Sequence, residues 1–346
     1  MADSPPVWLS DWEGDGIIAR VETRSLEKAL IAKALPTIDL RGKYDLAFPL
    51  IETDDRKVCE LAAEHLVNRG FRHFAYCGFA GTNYSERRLR YFPPVVGEAG
   101  YSCHVYPEPG SAIKGSQKDR ELDGILYEDD IVRWIESLPR PVGIMACNDI
   151  RGQQVLNACR AIGIEVPDEV AVVGVDNDEL LCELSDPPLS SVEPNTERIG
   201  FEAAALLDRM MNGEKVSDKK HFVDPKHVVT RLSTDVIAME DREIAGAVRY
   251  IRQHACDGIN VEDVLENVAL SRSALDRRFA AALGRSPKAE IVRIQINRVK
   301  QLLMETDFTL AAIAKMAGFR HAEYMSNVFK QKIAVTPGEF RKSSSA

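Results

Sequence analysis

Two segments near the C-terminal end carry guanidinium, amide and ammonium groups at helical spacing, the side-chain types that read nucleic acid. In the first, a short helical stretch around 261–268 meets a turn at Ala269-Leu270, and Ser271-Arg-Ser-Ala-Leu-Asp-Arg-Arg-Phe follows. Ser271 suits an N-cap, because its hydroxyl can accept from an orphan amide of the first turn. In the second, Thr309 caps Leu310-Ala-Ala-Ile-Ala-Lys-Met-Ala, Gly318 makes a tight turn, and His321-Ala-Glu-Tyr-Met-Ser-Asn-Val-Phe-Lys forms the next helix. Phe279 and Phe329 fall in equivalent places, as do Leu275 and Met325, so these four are expected to be core anchors.

Bond-making chemistry finds less support. The chain has no GxSxG elbow, Walker loop, GxGxxG or HExxH, the patterns that would mark common nucleophilic, nucleotide-binding or metallopeptidase sites. A scattered acid pair leaves a carbohydrate-active α/β enzyme with a helical appendage as the competing reading. The seven cysteines (59, 77, 103, 147, 159, 182 and 256) form no CxxC pair and have no metal-ligand spacing. Buried, reduced thiols are expected, with no cofactor and no metal.

Charge is unevenly placed. The net charge of -9 divides into +4 for residues 240–346, from 17 basic and 13 acidic residues, and -13 for the remainder. An acidic body with a basic end suggests that only the end meets a polyanion. No run approaches the roughly 20 apolar residues of a membrane span. The N-terminus lacks a basic, then apolar, export signal, so a cytoplasmic protein is expected.

Those residues need elements to hold them. Gly16-Ile-Ile-Ala, Pro36-Thr-Ile-Asp-Leu, Phe74-Ala-Tyr-Cys-Gly, Val142-Gly-Ile-Met-Ala-Cys and Val170-Ala-Val-Val-Gly-Val read as buried parallel strands. Helical patterns lie between them near 55–69, 84–99, 128–138, 150–162 and 196–212. Such alternation predicts a doubly wound α/β fold. The stretch Pro107 to Gly124 reads as a surface loop. After Thr234 the strands stop, and Val292, Ile296, Val299 and Leu303 form one apolar helical stripe. The expected division is 1–235, α/β, and 236–346, all-α.

The run Ser271…Arg277-Arg-Phe…Gly284-Arg-Ser-Pro, Arg298…Leu302-Leu, Ile313-Ala…Ala317-Gly-Phe…Phe329-Lys…Thr336-Pro-Gly-Glu-Phe-Arg resembles the AraC-type double helix-turn-helix domain. The resemblance implies two recognition helices in successive major grooves. It places Ser273, Asp276 and Arg277 from the first helix, and Ala322, Glu323 and Asn327 from the second, toward bases; Arg272 opens the first of these helices. Arginine suits guanine and asparagine suits adenine. Arg278, Arg320 and Lys330 are expected on phosphates, which position without specifying. Ala269 stands where the family's first turn usually carries glycine, so a right-handed variant of that turn is expected.

The segments Leu189-Ser-Ser-Val-Glu-Pro-Asn…Ile199-Gly-Phe-Glu, Cys147-Asn-Asp-Ile-Arg-Gly, Val173-Gly-Val-Asp-Asn-Asp-Glu and Asp54…His65-Leu-Val-Asn-Arg-Gly-Phe resemble the sensor domain of LacI-type regulators and periplasmic sugar-binding proteins. That implies two α/β lobes closing on a small ligand at the C-terminal ends of strands. The implied ligand contacts are Asp54, Tyr84, Arg88, Asn148, Asp176 and Asn177. Carboxylates and a forked guanidinium can bind adjacent sugar hydroxyls, and Tyr84 can stack on a pyranose face. Arg87 and Arg90 compete with Arg88, and Asp149 has the alternative role of capping the helix that follows.

A LacI-like sensor ahead of an AraC-like tail, with His254-Ala-Cys-Asp-Gly-Ile before the first turn, resembles a family of pentose-operon regulators. The resemblance implies D-xylose as effector, a homodimer on a double-stranded DNA operator, and activation of transcription with RNA polymerase as partner. Another sugar is the alternative effector. Gly16-Ile-Ile-Ala matches the second strand of the sensor fold, so a first strand and helix, about fifty residues, are expected to be absent. In the 2-1-3-4-5 order of such lobes that strand is interior, and its loss would open a slot between two unpaired strand edges.

Overall fold

The computed structural model describes residues 4–107, 128–214, 216, 220–235 and 241–345. Apart from Pro107, the expected loop at 107–124 lies outside the described residues, as does the junction at 236–240. The chain divides into two compact units, residues 1–66 with 72–235, and residues 67–71 with 236–346.

The first unit holds two sheets. The smaller contains β1 (Ile17–Ala19), β2 (Thr37–Asp39), β3 (Leu50–Thr53) and β9 (Lys220–Val223), all parallel, in the order β1-β2-β3-β9. The larger has the order β10-β8-β7-β6-β4-β5, built from β4 (His73–Cys77), β5 (Cys103–Val105), β6 (Val142–Ala146), β7 (Val170–Val175), β8 (Ser190–Glu193) and β10 (His227–Val229). Only β10 runs antiparallel to its neighbour. Every residue of β6 and β7 is buried, as continuous apolar runs in a parallel sheet covered on both faces require.

Helices flank both sheets: α1 (Arg24–Lys33), α2 (Asp55–Val67), α3 (Asn83–Glu98), α4 (Glu128–Ser137), α5 (Asp149–Ala161), α6 (Glu179–Leu184) and α7 (Thr196–Met211). The chain passes between the lobes after β3, after β8 and between β9 and β10. Thus α7 follows a strand of the larger sheet yet buries Ala203 and Leu206 with Ile38, Ile51 and Val223 of the smaller. Parallel strands in both lobes bring their C-terminal ends to the cleft between them.

One expectation fails. Ile17–Ala19 pairs directly with Thr37–Asp39, so no slot lies between these two strands, and β1 forms the end of its sheet's strand order. The backbone amides and carbonyls expected to face a gap instead satisfy each other.

The second unit is helical: α8 (Arg242–His254), α9 (Val261–Leu265), α10 (Arg272–Leu283), α11 (Pro287–Glu305), α12 (Leu310–Met316), α13 (Ala322–Ile333) and α14 (Pro337–Ser345). Ser271 and Thr309 cap α10 and α12 as the sequence predicts, accepting from Ala274 N and Ala312 N at 3.3 Å each. Asn260 makes a capping box with Asp263 at the start of α9. Two separate cores result. Leu275 and Phe279 pack with Ile244, Val248, Val261 and Val264, while Met325 and Phe329 pack with Val299, Leu303, Ile313 and Phe319. All four expected anchors are fully buried.

Gly318 turns the second motif at φ +78°, where an added Cβ would lie 2.7 Å from Ala255 O. Both the left-handed backbone and the close approach require glycine there. Ala269 does not adopt positive φ, consistent with the expected right-handed turn, and its amide donates to Glu243 Oε2 at 2.8 Å. Because Phe329 is fully buried in the second core, Phe329→Ala should destabilise the helical unit by about 3–5 kcal/mol. Urea unfolding followed by circular dichroism checks this; a change below about 1 kcal/mol would contradict the packing described.

Candidate functional site

The cleft is organised around Arg88, which α3 delivers from the end of β4. Its side chain is 7% exposed, its Nε donates to Asp55 Oδ1 at 2.8 Å, and it donates to Cys147 O as well. Its remaining nitrogen lies 4.0 Å from Asp176 Oδ1. The end of β3, the end of β6 and the turn after β7 therefore converge on one guanidinium. Tyr84, one turn earlier on α3, accepts from Asn148 Nδ2 at 3.1 Å. Its ring is approached by Arg88 and Arg41, whose guanidinium carbons lie 5.3 and 5.4 Å from the centroid.

Arg87 points to the smaller lobe. It donates to Asp55 Oδ2 at 2.6 Å, Glu52 Oε2 at 2.7 Å and Gly42 O at 3.3 Å. Asn83 Nδ2 adds a bond to Arg41 O at 3.1 Å. Charged and amide groups thus tie the lobes at the cleft mouth.

Four of the expected ligand residues, Tyr84, Arg88, Asn148 and Asp176, come together. Asp54 lies at the same strand end but directs Oδ1 to Arg56 N and Lys57 N, at 2.9 and 3.2 Å, capping α2. Its neighbour Asp55 takes the place against Arg88. Asn177 accepts from Arg231 at 3.0 Å through Oδ1, and its amide donates to Ser191 Oγ, so it braces the turn that presents Asp176. Asn148, not Asp149, caps α5 by accepting from Arg151 N at 3.0 Å. The capping alternative for Asp149 is therefore corrected: its buried carboxylate reaches Ser191 and Asp178. Asp55 and Arg41 were missed, and only the charged run Asp54-Asp-Arg hinted at the first; of the arginines that competed with Arg88, Arg87 turns to Asp55 and Glu52 and Arg90 is exposed.

Asp176 and Asn177 both have positive φ, 109° and 50°. Asp and Asn tolerate that region better than most residues, yet such backbone costs of order 1–3 kcal/mol per residue.

In the helical unit, α10 and α13 are the second helices of the two motifs. Arg277, Glu323, Asn327, Lys330 and Arg320 are exposed, as is Ser273; Asp276 and Ala322 are half-buried. Arg272 is already engaged, with Glu262 on α9 and with Asp276 Oδ2 at 3.2 Å. Arg278 makes a paired contact with Asp241, at 2.7 and 2.5 Å, which locks α10 to the start of α8. Its expected phosphate role competes with this tie.

Residues 63–234 match the periplasmic binding protein-like domain and residues 264–343 a helix-turn-helix domain. The chain is 33% identical to the xylose operon regulatory protein of Escherichia coli K12 over 345 residues, 97% of this chain and 86% of that protein. The namesake from Haemophilus influenzae is 35% identical over 94% of this chain and 84% of its own length. A solved xylose-binding transcription activator, 32% identical, superposes with a TM-score of 0.57, covering 97% of this chain and 88% of that one.

Burial pushes Glu52 from 4.5 to about 7 against the pull of Arg87, with Asp55 and Asp39 adding repulsion. Folded-state pKa thus exceeds the unfolded value, so between about pH 4.5 and 7 the folded chain binds more protons and Glu52 lowers stability as pH rises. Thermal melts across that window should show the midpoint of Glu52→Gln rising relative to wild type as pH goes from about 4.5 to 7. A difference between the two that stays constant across the window would contradict the raised pKa.

Proposed function

The chain belongs to the family of xylose operon regulatory proteins, and on that premise we propose a D-xylose-responsive transcription activator with its effector site at Arg88 and Asp176. The observation that carries this is a two-lobed cleft whose strand ends converge on a buried guanidinium, in the same chain as a double helix-turn-helix. The chemistry fits a polyol: Asp176 accepts from hydroxyls, Arg88 donates from its remaining nitrogen, and Asn148 offers an amide. Tyr84 supplies ring surface, Asp54 retains its second oxygen, and Asn177 shapes the turn.

On DNA, Arg277 and Asn327 are the proposed base readers, with Ser273, Asp276, Ala322 and Glu323 beside them. Lys330 and Arg320 hold phosphates, and Arg272 and Arg278 join them where their internal carboxylate partners yield. We place the protein in the cytoplasm as a homodimer that recruits RNA polymerase and catalyses no reaction. Among the described residues no helix is long and apolar enough to cross a membrane.

Mobility-shift titration on the operator, with and without D-xylose, is the test. Sugar-dependent specific binding supports the reading; no specific binding in either state at moderate salt overturns it. D-xylose at a hundred times its dissociation constant should add about 2.7 kcal/mol to the sensor, raising its melting midpoint by about 5–10 °C, and Asp176→Asn should largely abolish that rise. A rise with another sugar alone would reassign the effector. Arg277→Ala should cost about 1–3 kcal/mol on the operator and relax specificity, whereas Lys330→Ala should weaken all sequences alike and lower the salt slope by about 1.

A further inference from the structure

Beneath the Asp176 turn lies a group that neither the helix caps nor the cleft contacts use. Asp149, the first residue of α5, is 2% exposed. Its Oδ1 accepts from Ser191 Oγ at 2.6 Å, and its Oδ2 accepts from Asp178 N at 2.8 Å. Ser191 in turn accepts from Asn177 N at 3.0 Å. One carboxylate thereby holds the two residues that follow Asp176, one directly and the other through a hydroxyl. Asn148, its chain neighbour, presents its amide to Tyr84, so Asp149 sits between two of the cleft's polar edges.

Space has been made for it. At Gly174 on β7, an added Cβ would fall 2.2 Å from Asp149 Oδ1, a distance no side chain could keep. The turn needs such an anchor. Asp176 and Asn177 hold positive φ in succession, and strained backbone persists only where its surroundings over-determine it. Arg231 braces Asn177 from the other side at 3.0 Å. With these bonds in place, the Asp176 carboxylate faces Arg88.

We propose that Asp149 is a positioning residue for the effector site, acting through Ser191 and the backbone of residues 177–178 to aim Asp176 into the cleft. It touches no ligand itself. Its effect on sugar affinity therefore passes through Asp176, and the two residues behave as one unit. This rests on the sugar reading given above.

The experiment is a double-mutant cycle on the full chain, with D-xylose titrated calorimetrically into wild type, Asp149→Asn, Asp176→Asn and the double variant. Asparagine at 149 keeps the volume and one acceptor, but it cannot accept from both the hydroxyl and the amide. Asp149→Asn should weaken D-xylose at least tenfold, and the double variant should bind no more weakly than Asp176→Asn alone. Ser191→Ala, a gentler change to the same chain of bonds, should weaken the sugar several-fold; the unliganded melting midpoint reports folding for each variant. Affinity of Asp149→Asn within twofold of wild type, or losses that add in full, would overturn the proposal and leave Asp149 a purely structural group. Wild type that binds no pentose or hexose would overturn the sugar reading itself, a different result from equal binding by wild type and variant.

Discussion

A guanidinium removed from water must be answered on every side, and Arg88 imposes that demand on the sensor. Isolated burial of such a charge is prohibitive, and breaking a buried pair by removing one partner costs about 3–5 kcal/mol. The fold meets the demand with groups from three strand ends: the carboxylate of Asp55, the carbonyl of Cys147 and, at 4.0 Å, the carboxylate of Asp176. Each lies just past a parallel strand, where the doubly wound topology gathers loop residues. Much else follows from that geometry. Helix α2 must begin at residue 55, α5 must be capped from 148, and the chain after β7 must turn through positive φ.

The helical unit obeys a different constraint, a fixed spacing between two small cores. Each motif packs its own phenylalanine, and α11 runs from one core to the other, contributing Ile291 to the first and Ile296 to the second. Gln295 lies between these and donates to Ala255 O at 2.9 Å and Gly318 O at 3.2 Å. A single buried amide therefore satisfies a carbonyl from each half. Gly318 is held from two directions, by this bond and by the close approach of Ala255, so the second turn cannot move without disturbing the first motif. A helix-turn-helix domain held this stiffly has less ordering left to do when it binds.

What was legible in the sequence follows from how local each determinant is. The apolar runs of β4, β6 and β7 announce themselves, because buried parallel strands tolerate little else, whereas β1, read from its sequence as buried, leaves Ile18 exposed at the end of its sheet. Strands such as β3, β8 and β9 are four residues long and mix polar with apolar side chains, which a period-based reading passes over. Strand order is less local still: direct pairing of β1 with β2 is a choice of neighbour that no single run encodes. In the cleft, residue type identified acid and amide pairs but not their division of labour. Asp54 and Asp55 are chemically identical, and only the start of α2 decides which caps and which meets Arg88. The same ambiguity at Asn148-Asp149 resolves toward asparagine at the cap and the carboxylate in the interior. The tie of Arg278 to Asp241 could not be read from the sequence, because the two residues are distant in the chain.

A ligand shifts a conformational equilibrium only by its difference in affinity between the two states. The groups that bridge the lobes already satisfy one another, Arg87 with Glu52 and Gly42, Asn83 with Arg41. Closure therefore does not await a sugar to neutralise charge. Asp176, Arg88 and Asn148 all follow strands of the larger sheet, so a ligand held by these three alone would not distinguish closed from open lobes. It favours closure only to the extent that it also meets groups of the smaller lobe. Arg88 and Asp55 pair at 2.8 Å, while Asp176 stands at 4.0 Å from the guanidinium. Linkage then fixes the other end of the argument. Whatever factor the sugar adds to operator affinity, the operator must add to sugar affinity, and that reciprocity holds however the signal passes between the two units.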